Sequence, residues 1–154
     1  MHIVLDLVRR FPFLILVAAL AVGGFVFREH LVGAADDLRA GDCVDLPAQM
    51  REFSEIQHRP CAEPHDAEVF LVFDHPADKQ AAFPSRPTAE AFVVEQCVPA
   101  FEAYTGRDYQ ADPDYAFGYF QPTQSGWADG DRGFTCYLVR MDDGKITGSL
   151  RAAQ

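Results

Sequence analysis

Four polar side chains crowd into a six-residue stretch between a cysteine and an apolar run: Glu63, His65, Asp66 and Glu68. Carboxylates and imidazole are ligands for divalent metals. A carboxylate beside His65 can also orient its ring as a general base. The competing reading is local: after Cys61, Pro64-His65-Asp66 forms a turn whose side chains satisfy nearby backbone groups. That structural reading is preferred, ahead of metal binding, catalysis and contact with a partner.

A second cluster runs from Trp127 to Arg132 (WADGDR). Asp129 and Asp131 suggest a calcium loop, but its twelve-residue spacing and closing glutamate are missing. The expectation is a turn through Gly130 and Asp131, with Arg132 paired to a neighbouring carboxylate and Trp127 packed in the core or a lid. An exposed Trp127 would instead serve as an interaction anchor. Walker, dinucleotide, nucleophile-elbow and H-E-x-x-H patterns are all absent. No catalytic residue, metal ligand or cofactor is therefore assigned, and an enzyme is not expected.

The elements that must position these residues follow from the charge and apolar pattern. The chain has 154 residues, 49% hydrophobic, with a formal net charge of −10. That length fits one ordinary domain, and the apolar fraction is too high for a disordered chain. The acidic balance argues against nucleic acid as a partner. Residues 1–30 hold three arginines against two acids, and the remaining 124 hold ten basic against 21 acidic residues, so the charge divides into +1 and −11.

Residues 11–27 (FPFLILVAALAVGGFVF) carry no charge and are closed by Arg9, Arg10 and Arg28. Seventeen residues is the lower end of the range of about 17–25 for a transmembrane helix, and arginine stems extend it by snorkelling. A cleavable signal peptide and a buried helix are the competing readings. The first is disfavoured by the long core and by Arg28-Glu29-His30 standing before the small residues at Ala34-Ala35. The positive-inside rule puts the N-terminus in the cytoplasm. The expected organisation is a cytoplasmic N-terminus and anchor at 1–30, a linker at 31–40 and an extracytoplasmic domain at 41–154. The bilayer is then a partner through residues 11–27, and the expected localisation is the plasma membrane.

The four cysteines, Cys43, Cys61, Cys97 and Cys136, all follow the anchor, and no C-x-x-C pair exists. Two structural disulfides are expected. A first strand is read at 43–46, a weak one at 53–59, and a central one at 67–73, which is apolar on both faces. Residues 88–106 read as a helix with Thr88 as N-cap, Gly106 at its end and Pro99 as a kink. Its apolar stripe is Ala89, Val93, Cys97, Phe101 and Tyr104. Strands follow at 115–120, 134–141 and 146–150, the last two joined by an Asp143-Gly144 hairpin. Cys97 on the stripe and Cys136 on the face shared with Phe134 and Leu138 point at one core. The expected pairing is Cys97–Cys136, tying helix to sheet, and Cys43–Cys61. The fold class is α+β: an N-terminal transmembrane helix, then a small disulfide-stapled domain of one mainly antiparallel sheet and one main helix.

The order Gly41-Asp42-Cys43, then C-A-E-P-H-D-A-E-V from Cys61 to Val69, resembles the septum-formation domain family of actinobacterial envelope proteins. The similarity continues through Cys97, Phe101, Tyr104 and Gly106, Pro122-Thr123, Ser125, Trp127, Gly130-Asp131-Arg132, Cys136 and Thr147 to Leu150. It covers about residues 40–151. One departure is Gly126, which separates Ser125 from Trp127. The resemblance implies a membrane segment followed by an extracytoplasmic domain, with other envelope or membrane proteins as partners and a link to cell division. The alternatives are an accessory subunit of a larger membrane complex, and a metal-binding or catalytic domain using Glu63–Glu68.

Overall fold

The computed structural model describes residues 32–48 and 55–153. The apolar stretch at 11–27 lies outside them; among the described residues, no helix is long and apolar enough to cross a membrane.

In chain order the elements are β1 (Val32–Ala34), a 3-10 turn (Ala35–Asp37), β2 (Cys43–Asp45), β3 (Glu55–Arg59) and β4 (Ala67–Asp74). They continue with helix α1 (Arg86–Thr105), β5 (Tyr115–Phe120), helix α2 (Gln124–Asp129) and β6 (Gly133–Arg140). The six strands form one sheet in the order β1-β3-β2-β4-β6-β5, every pair antiparallel. The segment read as a linker thus supplies an edge strand, with Gly33 opposite Ile56.

The apolar run of β4 is buried on both faces because β4 is central, between β2 and β6. Ala67 and Val69 join Val44, Ile56, Leu38 and Tyr137 on one face. Phe70 joins Val93, Cys97, Phe101, Trp127, Phe134, Cys136 and Leu138 under α1 on the other. A register shift lies between Val69 and Leu71. The extra residue, Phe70, breaks the period-two alternation, so that Leu71 and Phe73 also pack on the helix side. Burying a phenylalanine such as Phe101, fully enclosed here, contributes about 1.5–3 kcal/mol.

Helix α1 begins two residues before the expected start. Its N-cap is Ser85, not Thr88: Ser85 Oγ accepts from the Thr88 N–H, and the proline that follows the first helical residue needs no donor there. Gly106 ends the helix at φ 70°, its N–H donating to the Glu102 carbonyl. The buried stripe is Ala89, Val93, Cys97, Phe101 and Thr105, while Pro99 sits on the exposed face and the helix runs through it. Tyr104 is half-buried and serves a different purpose, described below.

The expected strand at 146–150 and its hairpin do not form. β6 already has β4 on one side and β5 on the other, so no edge is free for a seventh strand. Ile146 instead makes an isolated antiparallel bridge with His65 and is buried there. The structure carries two disulfides, Cys43–Cys61 and Cys97–Cys136, the second joining α1 to β6.

Candidate functional site

The Pro60–Asp66 loop is stitched into place from two directions. The Asp66 N–H donates to the Val44 carbonyl of β2 at 3.0 Å. His65 and Ile146 exchange both backbone hydrogen bonds, at 3.0 and 2.8 Å, and Gly148 N–H donates to the Cys61 carbonyl at 2.6 Å. The C-terminal segment is therefore a strap across the loop. This stitching places His65 and Asp66, and the four polar residues of the first cluster do not all meet at one point: Asp66 turns away from His65 and Glu68.

Glu63 and Pro64 are exposed, and His65 has no exposure at all. Its Nδ1 donates to the Glu63 backbone carbonyl at 2.8 Å, so the contact between these two residues bypasses the Glu63 carboxylate. Asp66 lies on the other side of the strand entrance, where Oδ2 accepts from the Leu46 N–H at 2.9 Å. Its Oδ1 lies 2.7 Å from Lys145 Nζ, which also donates to Asp45 at 2.9 Å. Arg59 donates to the other Asp45 oxygen at 2.6 Å. Partial burial pushes the Asp45 carboxyl up, but the hydrogen bonds from Lys145 and Arg59 outweigh it and hold it below the usual range. The same carboxylates, Asp66 first, raise Lys145 above its ordinary value. A groove of about 430 Å³ opens beside Asp66, lined also by Leu46, Tyr137 and Val139.

Glu68 is wholly enclosed under α1. One oxygen accepts from Tyr104 Oη at 2.6 Å and from Ser149 Oγ; the other accepts from the Leu150 N–H at 2.7 Å. One carboxylate thus binds the helix and the C-terminal strap to the central strand. Burial, with the bond to Glu68 behind it, pushes the Tyr104 hydroxyl up to about 12. Arg151 lies 4.9 Å over the Tyr104 ring and covers the joint.

The register adds a residue that spacing along the chain does not bring near. Cys43 of β2 pairs directly with Glu68 of β4. Its Sγ, one ring nitrogen of His65 and one Glu68 oxygen all lie within 4.8 Å of one another, and all three residues are buried. Sulfur, imidazole and carboxylate together are a donor set that zinc accepts. The sequence signal for this trio is the two-residue ladder between β2 and β4, which is visible only once the strands are paired.

The second cluster is a cap over the core. Thr123 caps the short helix α2, accepting from the Gly126 N–H at 2.9 Å, and Gly130 ends it at φ 101°. Asp131 Oδ1 accepts from the Gly133 N–H at 2.8 Å. Among the described residues, Arg132 has no carboxylate partner of the kind expected. Its guanidinium donates instead to five backbone carbonyls, those of Ala77, Asp78, Lys79, Trp127 and Asp131, at 2.7–3.3 Å. The five donors of a guanidinium fan across a loop of carbonyls better than across one carboxylate. It also stacks 3.8 Å over the Trp127 ring. Trp127 is buried, its indole N–H donating to the Ala81 carbonyl at 2.8 Å. The ring of His75 packs 5.2 Å from Trp127, and burial, then the nearby Arg132 charge, pushes it below its ordinary value. This cluster pins the 75–81 loop.

A family model described as Septum formation matches residues 40–153, the span that holds the sheet from β2 onward, both disulfides, the Glu68 joint and the Arg132 cap. Neither the curated proteins nor the solved structures compared with the chain give a match. With nearly the whole folded region covered by that one model, the chain belongs to the septum-formation domain family.

Proposed function

We propose that the chain is a single-pass envelope protein whose acidic domain, held outside the plasma membrane, binds other proteins during septum formation. The observation that carries this reading is the septum-formation match over residues 40–153, preceded in the same chain by 17 uncharged residues. Membership in the family suggests a role related to cell division. The anchor, the outward orientation and the binding of partners are the finer parts of the proposal.

The chemistry of the clusters supports binding over catalysis. His65 and Glu68 are enclosed, and three donors occupy the Glu68 oxygens, so a substrate has no open route to an acid–base pair there. Glu63, which is exposed, stands apart from them. Two disulfides suit an oxidising compartment.

The test has two arms. Alkaline washing of membranes should leave the full chain in the pellet, and protease added to spheroplasts should remove the domain from outside. Chemical crosslinking in dividing cells, followed by capture of the full chain, should then recover envelope proteins. A chain released by alkali, or a domain protected from protease, overturns the anchor or its orientation. Crosslinking that returns the chain alone overturns the binding role.

A further inference from the structure

Buried polar atoms are almost always hydrogen-bonded, and His65 holds an exception. Nδ1 donates to the Glu63 carbonyl, and Nε2 is buried without a hydrogen-bond partner. A histidine that ligates a metal has this arrangement: the far nitrogen donates to a backbone carbonyl, which fixes the tautomer and aims the other nitrogen. Glu68, the second member of the trio, is oriented just as firmly by Tyr104, Ser149 and Leu150. The third member, Cys43, faces them across the β2–β4 ladder, but its sulfur is committed to the bridge with Cys61.

The two disulfides differ in access. Cys97 and Cys136 are both fully buried in the main core. Cys43 is buried, whereas Cys61 is part-exposed on its loop. Of the two bridges, Cys43–Cys61 is therefore the one with a partly exposed residue through which a thiolate from solvent can approach.

We propose that reduction of the Cys43–Cys61 bridge converts the Cys43–His65–Glu68 trio into a zinc site. Zinc takes sulfur, nitrogen and oxygen donors together, at about 2.0–2.3 Å. The reductant is a dithiol. One of its thiolates attacks Cys61 Sγ, and the electron pair of the S–S bond passes to Cys43 Sγ, which leaves as a thiolate. The second thiolate of the reductant closes its own disulfide and expels Cys61. Two electrons have moved from the dithiol to the bridge. Of its two protons, one ends on the Cys61 thiol, whose sulfur lies 3.6 Å from the Gly41 carbonyl as an acceptor. The other goes to solvent, because Cys43 stays a thiolate on the zinc ion. The metal then joins β2 to β4 in place of the covalent link from β2 to the loop.

Cobalt and zinc binding to the full chain tests this. Cys61→Ser frees Cys43 without a reductant; the unmodified chain treated with dithiothreitol frees it by reduction. In both, cobalt should give a thiolate-to-metal charge-transfer band in the near ultraviolet and the visible bands of a tetrahedral ion. Zinc should be retained through gel filtration at one per chain. The oxidised chain should show neither. Adding His65→Gln to Cys61→Ser should weaken zinc binding by about 100-fold or more. The proposal is overturned if the reduced chain stays folded by circular dichroism and holds no metal, or if His65→Gln leaves affinity unchanged. It is equally overturned if both the variant and the reduced chain unfold and zinc restores neither.

Discussion

Replacing Glu68 with glutamine changes one oxygen to an amide and almost nothing in volume, which isolates the carboxylate's part in the fold. If the amide oxygen keeps Tyr104 and Ser149, the new NH2 group meets the Leu150 N–H, donor against donor. The bond lost there is charge-assisted, at about 1.5–3 kcal/mol, and an orphaned buried N–H costs about 1–3 kcal/mol more. The two hydroxyl bonds that remain drop to roughly half their strength once the charge is gone. Relief from burying a carboxylate offsets part of this. The net expectation for Glu68→Gln is a loss of about 3 kcal/mol. Trp127 is the single tryptophan and is buried beside Arg132, so its fluorescence reports global unfolding in urea. With a urea slope of about 2 kcal/mol/M, the midpoint should fall by about 1.5 M. Tyr104→Phe removes one of the three donors and should cost about 1–1.5 kcal/mol. The double variant should cost less than the sum, because Glu68→Gln has already weakened the Tyr104 bond that Tyr104→Phe removes. A Glu68→Gln midpoint within about 0.3 M of the parent, at an unchanged slope, would sink the idea that this carboxylate binds helix and strap to β4.

Arg132→Lys should destabilise by about 2–4 kcal/mol, since one ammonium cannot serve five carbonyls and stack on Trp127; a melting temperature lowered by less than about 2 °C would contradict this. Burial pushes the Tyr137 hydroxyl up to about 12, above its ordinary 10. Its folded value is raised, so its contribution is complete below pH 10 and is lost as pH climbs towards 12. Tyr137→Phe should therefore flatten the alkaline limb of the urea midpoint, and an unchanged limb would refute the assignment. Asp45 is shifted the other way: its contribution is present above the ordinary carboxylate value and lost as pH falls through the depressed one. Lys145→Ala should cost about 0.5–1 kcal/mol at neutral pH, shrink at high salt and soften the acid limb; a cost independent of salt would point away from charge.

The parts legible in the sequence are those governed by one dominant period. The residues of β4 read as a central strand because both faces are apolar, and β5 at 115–120 stands out in the same way. The four-residue spacing of Ala89, Val93, Cys97 and Phe101 is the buried stripe of α1, and it aims Cys97 at Cys136. What escaped depended on three-dimensional neighbours. Ile146 has the look of a strand residue, but both edges of β6 are taken, so it bridges His65. Helix α2 is only six residues long, too short for a period; its Thr123 cap and closing Gly130 are the signals that mark it. The arginine at 132 carries no trace of its carbonyl partners at Ala77, Asp78 and Lys79, because these lie more than fifty residues away in the chain. In the first cluster, His65 and Asp66 bond backbone groups of Glu63 and Leu46, while Glu68 is a joint whose partners lie in α1 and the strap, far along the chain.

The edge strand β1 has a consequence for how such a domain would search for a partner. On the proposed topology, five residue steps separate Phe27 from Val32. Fully extended, they reach about 17 Å. Because β1 draws its residues into the sheet, a connection to such an anchor would have little slack, and the domain would ride close to the bilayer on a short leash. Its encounters would then be confined to a thin layer, where neighbours tethered to the same surface would meet it at high effective concentration. A weak contact would suffice there, and the same contact would fall apart once the domain was cut free.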